Sequence, residues 1–462
     1  MCALITHEEK KLFRISQILC MFGALKEFRP NEPFIYDYLT GDAKNFTNDE
    51  VIHDVYPIAT YSNFATLIVV FLLTDFLRYK PILILCGLSG IITYVVLILG
   101  TTISAMQVVE FFYGLYMSTE VAYYTYIYAK VDKEHYQEAS SYVRSALLVG
   151  RFITGIIAQL LITFDFLEYH QLNYLTVLGQ VLAVIWLFFL PSVSVSIYFH
   201  RPDNFIDNSD HVSNGLNQST ITSMDQLITH KFTVQNIKRA YYLLWQDFLK
   251  AYTNIDVLKW SFWWAAASCG YLQVLVYSQS IWNTCVEKDD KLYNGAVEAL
   301  YTAIGALAVF GVGKLRLNWE LIGEIILSIF SFLEALFLFI VSRSYNIWLQ
   351  YVIYIAFGIV YHTIVTVCSF EVAKKISEDS SGLIFGINIF LALTFQSVLT
   401  FIVTSGNVLT LDIRTQFAVY GGYFVVLGII FMIIAIYTIT KICKSKEKLI
   451  WWVSPEDNLN HS

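Results

Sequence analysis

Charge is what this sequence is short of. Only 15% of its 462 residues are Asp, Glu, Lys or Arg, against 56% hydrophobic and 16% aromatic, where soluble domains are about a quarter charged. That scarcity excludes a string of soluble domains, and with a mean hydropathy of +0.55 it points to an all-α polytopic membrane protein. A basic excess is also missing: the net charge is −7, so no nucleic-acid partner is expected. The seven cysteines are scattered without a CxxC pair, which speaks against a disulfide framework or a zinc site. The histidines are equally dispersed, with no HExxH, EF-hand loop, Walker motif or nucleophile–base signature. No metal, cofactor, enzymatic activity or ATP-driven cycle is therefore expected. The opening MCALITHEEKKLFR is basic and lacks a small-residue cleavage site, so the first apolar segment is expected to be retained.

What is present is a series of apolar runs. A spanning helix needs roughly 20 apolar residues. Twelve segments qualify, near 12–34, 57–77, 81–101, 105–129, 141–164, 172–198, 257–283, 294–312, 320–341, 347–373, 382–404 and 415–441. The first is the weakest, interrupted by Arg14, Lys26, Arg29 and Glu32. The polar stretch RPDNFIDNSDHVSNGLNQSTITS opens a long connection between the sixth and seventh. The predicted organisation is a six-helix bundle over 1–199, a cytoplasmic connecting loop over 200–256, a second bundle over 257–441 and a cytoplasmic tail over 442–462.

Basic residues set the orientation. With both termini inside, the inner segments hold Lys10, Lys11, Arg14, Arg78, Lys80, Lys130, Lys133, Lys314, Arg316, Lys374 and Lys375, and the outer ones few. The sequon Asn45-Phe46-Thr47 then falls in the first outer loop, where glycosylation is possible, and a second at Asn217 falls inside. Six plus six spans around a long inner connection describe a transporter whose halves rock about a midplane site. The turn TDFLRYKP places Asp75 and Arg78 between spans two and three. It is similar to the charged cytoplasmic gating turn of the major facilitator superfamily.

Ionisable groups inside a membrane are costly and read first as functional. In MQVVEFFYGLYMSTEVAYYTYIYAKV, Glu110 and Glu120 lie roughly 80° apart around a helix and about 15 Å apart along it. Tyr113, Met117, Tyr124 and Tyr128 share that arc. Each Glu has two readings: a charge pair with Arg144 or Arg151 of the next span, or part of a substrate path. Carboxylates among tyrosine faces suit an organic cation or a nitrogen-rich ring. Glu298 and Asn294 in LYNGAVEAL stand at the start of span eight, Asn294 as a helix cap or as an amide facing the cavity. Glu324, Glu334, Glu371 and Gln396 are further polar intrusions, Glu371 expected to pair with Lys374 or Lys375. The Trp pairs at 263–264 and 451–452 read as interfacial anchors.

The stretches RPNEPF, YPIATYS, TDFLRYKP, MQVVEFFYG, EVAYYTYIY, EHYQEASSYVRS, YNGAVEA and FGIN…TFIV resemble the reduced folate and thiamine carrier family of vitamin transporters, over nearly the whole chain. The resemblance implies a major facilitator fold, a plasma-membrane location and uptake of a water-soluble vitamin, coupled to proton or anion counterflow. It also implies that folate carriers hold their dicarboxylate with an Arg in span ten and a Lys in span eleven. The matching positions here read Gly358 and Gln396, so that anion clamp is missing. By the same resemblance, the thiamine branch places Glu32, Glu110, Tyr113, Glu120 and Asn294 in its pocket, with Tyr56 and Tyr94 beside them. Three positions depart from that branch: Ala59 and Tyr94 stand where Trp is expected, and Arg151 adds a cation.

Two substrates follow as expectations, a monomeric carrier for thiamine or a related cationic heteroaromatic, and a folate carrier using Arg151 for the anion. A ligand-sensing receptor that moves nothing is the alternative from another class.

Overall fold

The structure is a computed structural model and describes residues 7–130, 136–193, 234–287, 290–312, 319–376, 381–405 and 410–445. Among them every regular element is a helix. The principal helices are α1 (His7–Lys26), α2 (Ile35–Thr40), α3 (Tyr56–Phe76), α4 (Lys80–Leu99), α5 (Ile103–Ser118), α6 (Glu120–Lys130), α7 (Tyr136–Thr163) and α8 (Tyr169–Leu187). After the connection come α9 (Val234–Tyr252), α10 (Ile255–Asn283), α11 (Asn294–Val312), α12 (Trp319–Arg343), α13 (Ile347–Lys375), α14 (Ser381–Thr404) and α15 (Ile413–Ser445).

Among the described residues, eight helical segments are long and apolar enough to cross a membrane, in α3, α4, α7 and α11 to α15. Helices also stand at the other four expected positions, α1, α5 with α6, α8 and α10, but they do not meet the same measure. Each has a visible reason. The first carries Glu8, Glu9, Lys10, Lys11 and Arg14, the fourth is interrupted at Thr119, α8 opens on His170, Gln171 and Asn173, and α10 is diluted by serines, Gln273 and Gln279.

The interruptions have local causes. The helix of the first segment stops at Lys26, short of the expected 34, because Pro30 lacks an N–H and pushes Arg29 out of helical geometry. Residues 27–31 run unwound into a short turn at Glu32–Phe34. At Thr119 the hydroxyl donates back to the Tyr116 carbonyl (2.7 Å), a competition with the helix ladder that favours a break. The connection also differs from a plain loop, since its last part folds as α9 and α10 begins at Ile255. Asn217, Lys314, Arg316 and Trp451–Trp452 lie outside the described residues.

Helices α1, α3, α4, α5, α7 and α8 pack on one another, as do α10 to α15. The two sets meet along α7 with α11 and α3 with α14. The first crossing is very close: a Cβ added to Gly155 would lie 2.7 Å from the Gly295 carbonyl oxygen, and one on Gly295 would lie 2.8 Å from that of Gly155. Gln159 seals it by donating to the Leu292 carbonyl (3.0 Å) and accepting from the Ala296 amide (3.1 Å). Backbone atoms cannot swing aside, so Gly295→Ala is expected to push these helices apart at a cost of about 1–3 kcal/mol and to reduce uptake. Unchanged melting together with unchanged uptake would rule out so tight a crossing.

The turn between α3 and α4 holds Arg78 and Tyr79 at φ 59° and 64°, positive values that non-glycine residues adopt only when packing enforces them. Burial of the Tyr79 ring against Tyr126 (6.5 Å between centroids) supplies that enforcement. The side chain of Asp75, the other residue of the expected gating turn, lies outside the described side chains. Asn45, also at a positive φ of 60°, is exposed together with Thr47.

Trp263 is not an interfacial anchor. It is fully buried and donates its indole N–H to Ser331 Oγ (2.9 Å) across α10 and α12. Trp264 is partly buried and meets the Phe385 ring edge-on. The Glu371 carboxylate accepts from Lys374 (2.8 Å) as expected, while Lys375 turns to Asp256 (2.9 Å).

Candidate functional site

Residues from both sets of helices line one internal cavity of about 260 Å³, the scale of a small heteroaromatic rather than a polymer. The unwound segment contributes Glu27, Arg29, Asn31 and Glu32; α3 contributes Tyr56, Ala59 and Asn63; α4 Tyr94; α5 Glu110, Tyr113 and Met117. Arg151 of α7 completes this set, and from the other come Gln279 of α10, Glu298 of α11 and Gln396 of α14.

Of the eight residues expected at the site, Glu32, Tyr56, Tyr94, Glu110, Tyr113 and Arg151 come together here. Glu120 and Asn294 do not line the cavity. The Glu120 carboxylate turns to Lys26 Nζ (3.3 Å) and accepts from the Tyr124 hydroxyl (3.2 Å). Asn294 is buried outside, accepting from Tyr351 Oη (2.7 Å) and donating to Asp37 (3.4 Å). The shared face expected for α5 and α6 therefore ends at Met117, and the side chain of Tyr128 lies outside the described ones.

The anticipated pairing of Arg151 with Glu110 or Glu120 also gives way. Arg151 Nε donates to Glu27 Oε2 (2.7 Å), its one hydrogen bond among the described residues. Arg144 is exposed and lies over the Tyr124 ring (5.8 Å). Glu27, fully buried, is the hub of the arrangement: Arg29 Nη2 reaches it at 2.8 Å and Lys26 Nζ at 3.4 Å, besides Arg151. Arg29 Nη1 also bonds Glu32, whose Oε1 accepts from Tyr113 (3.1 Å) and Tyr94 (3.3 Å). Lys26, Arg29 and Arg151 thus balance Glu27, Glu32 and Glu120, three cations against three carboxylates. Burial of charge is tolerated only with such pairing.

Glu110 stands apart. Its carboxylate makes no hydrogen bond or ion pair among the described residues, although its backbone carbonyl accepts from Ser62 (3.2 Å). The Glu298 carboxylate accepts the Tyr354 hydroxyl (2.8 Å), its one hydrogen bond among the described residues. The lining residues carry four carboxylates, Glu27, Glu32, Glu110 and Glu298, against Arg29 and Arg151, a formal excess of two negative charges. Among the described residues no cluster of His, Cys, Asp and Glu is placed to hold a metal ion.

Sequence reasoning missed Glu27 and Gln279, and it gave Lys26 and Arg29 no place in the site. The available signal was KEFRPNEP, charges interleaved with two prolines, which marks unwound backbone inside a membrane. At the missing anion clamp, a side chain on Gly358 would run into the Tyr301 ring. Tyr301 in turn meets Tyr271 Oη (2.6 Å) and His362.

The family model of the reduced folate carrier matches residues 10–419. The chain belongs to the reduced folate carrier family. Within that family it is 38% identical to thiamine transporter 2 of Homo sapiens, covering 96% of this chain and 93% of that one. It is 37% identical to folate transporter 1 of Caenorhabditis elegans, covering 90% of each. In fold, it is similar to a solved POT family transporter in complex with a thioalcohol-conjugated peptide, at a TM-score of 0.64, 11% identity and coverage of 92% and 96%. The shared fold is of the major facilitator type. This reduced folate carrier family member is therefore a multi-pass membrane transporter and not an enzyme, and nothing supports a receptor that transports nothing.

Proposed function

We propose that the chain carries thiamine, or a related cationic heteroaromatic, across the plasma membrane by alternating access of two six-helix bundles, 1–199 and 257–441, twelve spans in all. Both termini, the 200–256 connection and the 442–462 tail are cytoplasmic, Asn45 is glycosylated outside, and the carrier acts as a monomer. The connection to thiamine comes from the name of a relative; one observation of the site carries it further. Glu110 is an unpaired carboxylate in a tyrosine-lined cavity whose other charges are balanced apart from Glu298. A cationic ring entering there supplies the missing charge, with Tyr56, Tyr94 and Tyr113 offering faces and hydroxyls.

The test is uptake of labelled thiamine and labelled folate by cells expressing the chain. Saturable thiamine uptake supports the reading; background thiamine uptake beside saturable folate uptake overturns it. Loss of a glycosidase-sensitive mass in Asn45→Gln tests the outer placement of the first loop.

Arg151 favours a second reading, a folate carrier, because its side chain is 41% exposed and its terminal nitrogens are free of hydrogen bonds among the described residues. The two readings diverge in Arg151→Ala. Under the first, thiamine uptake stays within about twofold of the parent, because Glu27 keeps Arg29 and Lys26. Under the second, folate uptake falls roughly tenfold with the loss of a charge-assisted contact.

A further inference from the structure

Helix α9 is unlike the others in having one polar and one apolar side although it sits outside the apolar spans. Its last turn is fixed to the protein: Ala251 is buried and the Tyr252 hydroxyl donates to Asn388 Oδ1 of α14 (2.9 Å). Phe248 stacks on Trp245 (5.2 Å between centroids) and meets Tyr252 at a tilt (4.9 Å). An adjoining strip, roughly 20–80° round the helix from Tyr252, is uncovered. Lys238, Tyr242, Trp245 and Leu249 follow the spacing i, i+4, i+7, i+11, which gathers them within about 60° of one another around the helix. Tyr242 is 59% exposed, Trp245 57% and Leu249 45%, and Lys238 and Lys250 are exposed as well. Asp247 lies on the opposite side, half-buried.

The chain itself sets the depth at which this side lies. Only Thr253 and Asn254 separate α9 from α10, and Asn254 Oδ1 caps α10 by accepting from the Asp256 amide (3.0 Å). Within α10, Ile255, Leu258 and Phe262 are exposed one turn apart on one face, as befits a surface meeting hydrocarbon. The two-residue link therefore holds the C-terminal end of α9 close to the end of α10 that carries this apolar face. Tryptophan and tyrosine with flanking lysines are the chemistry of a helix lying in the headgroup layer.

We propose that α9 is an interfacial anchor that docks on anionic lipid headgroups of the bilayer the chain spans, through Tyr242, Trp245 and Leu249 inserted beneath the headgroups and Lys238 and Lys250 paired with their charge. The occupant is lipid and not a soluble anion, because the apolar residues need an acyl boundary to cover them. The attraction to anionic lipid adds to this insertion and fades with salt.

The test is hydrogen–deuterium exchange of the full-length protein in nanodiscs of phosphatidylcholine alone and of phosphatidylcholine with phosphatidylserine. Exchange of peptides within 234–252 is expected to slow roughly tenfold when the anionic lipid is present. That difference should vanish in Lys238→Gln/Lys250→Gln and at high salt, while Trp245→Ser speeds exchange in both bilayers. The peptides of α12 and α13 serve as the folding control in every variant. Equal exchange in the two bilayers, or a difference that survives the double lysine variant, overturns the proposal. Fast exchange in both bilayers with α12 and α13 protected would mean that the exposed side meets water or a protein instead, and overturns it too.

Discussion

Glu27→Gln is expected to destabilise the protein by about 3–5 kcal/mol, the usual cost of removing one partner from a buried ionic cluster. The fully buried carboxylate accepts Arg151 Nε at 2.7 Å and Arg29 Nη2 at 2.8 Å, with Lys26 Nζ at 3.4 Å. Glutamine keeps the shape but removes the charge. Lys26 then retains Glu120 (3.3 Å) and Arg29 retains Glu32, but Arg151 loses its one hydrogen-bonding carboxylate among the described residues. Arg151 is partly exposed, so its share of the loss is the smallest. The buried Lys26 and Arg29, each left with one carboxylate where it had two, account for the rest. The reading is a melting curve of the purified protein in detergent, and the expectation is a midpoint several degrees lower with little surviving uptake. An unshifted midpoint would mean that the three cations do not depend on Glu27.

Glu110→Gln should behave in the opposite way, harming transport and sparing the fold. No protein group among the described residues pairs with the Glu110 carboxylate, so its neutralisation leaves nothing buried and unsatisfied. A charge-assisted hydrogen bond is worth roughly 1.5–3 kcal/mol, which converts to about a ten- to hundredfold loss of affinity for a cationic substrate. Concentration-dependent thiamine uptake, normalised to surface expression, measures it. Transport equal to the parent at normal expression would remove Glu110 from the substrate site. The contrast between the two variants is itself informative: Glu27 is bound by protein, and Glu110 is left for something else.

The membrane class, the positions of the helices and the pairing of Glu110 with Tyr113 on one helix face were legible in the order of residues. Each rests on local periodicity and on the scarcity of charge, and neither depends on what a helix packs against. The family was legible for a related reason, because its motifs are contiguous runs such as MQVVEFFYG and YNGAVEA. The partners of the charges were not legible. Arg151 lies on the helix after Glu120, yet it reaches back to Glu27, 124 residues earlier, because interhelical register and the unwinding at Pro30 bring those atoms together. The same unwinding turned the flaws of a weak first span into one wall of the cavity, and the break at Thr119 left Glu120 with Lys26 instead of the site. Sequence by itself determined which groups were available to meet a substrate. Only the tertiary structure decided which of them were already taken, because neutralising a buried charge is a matter of ångströms between helices far apart in the chain.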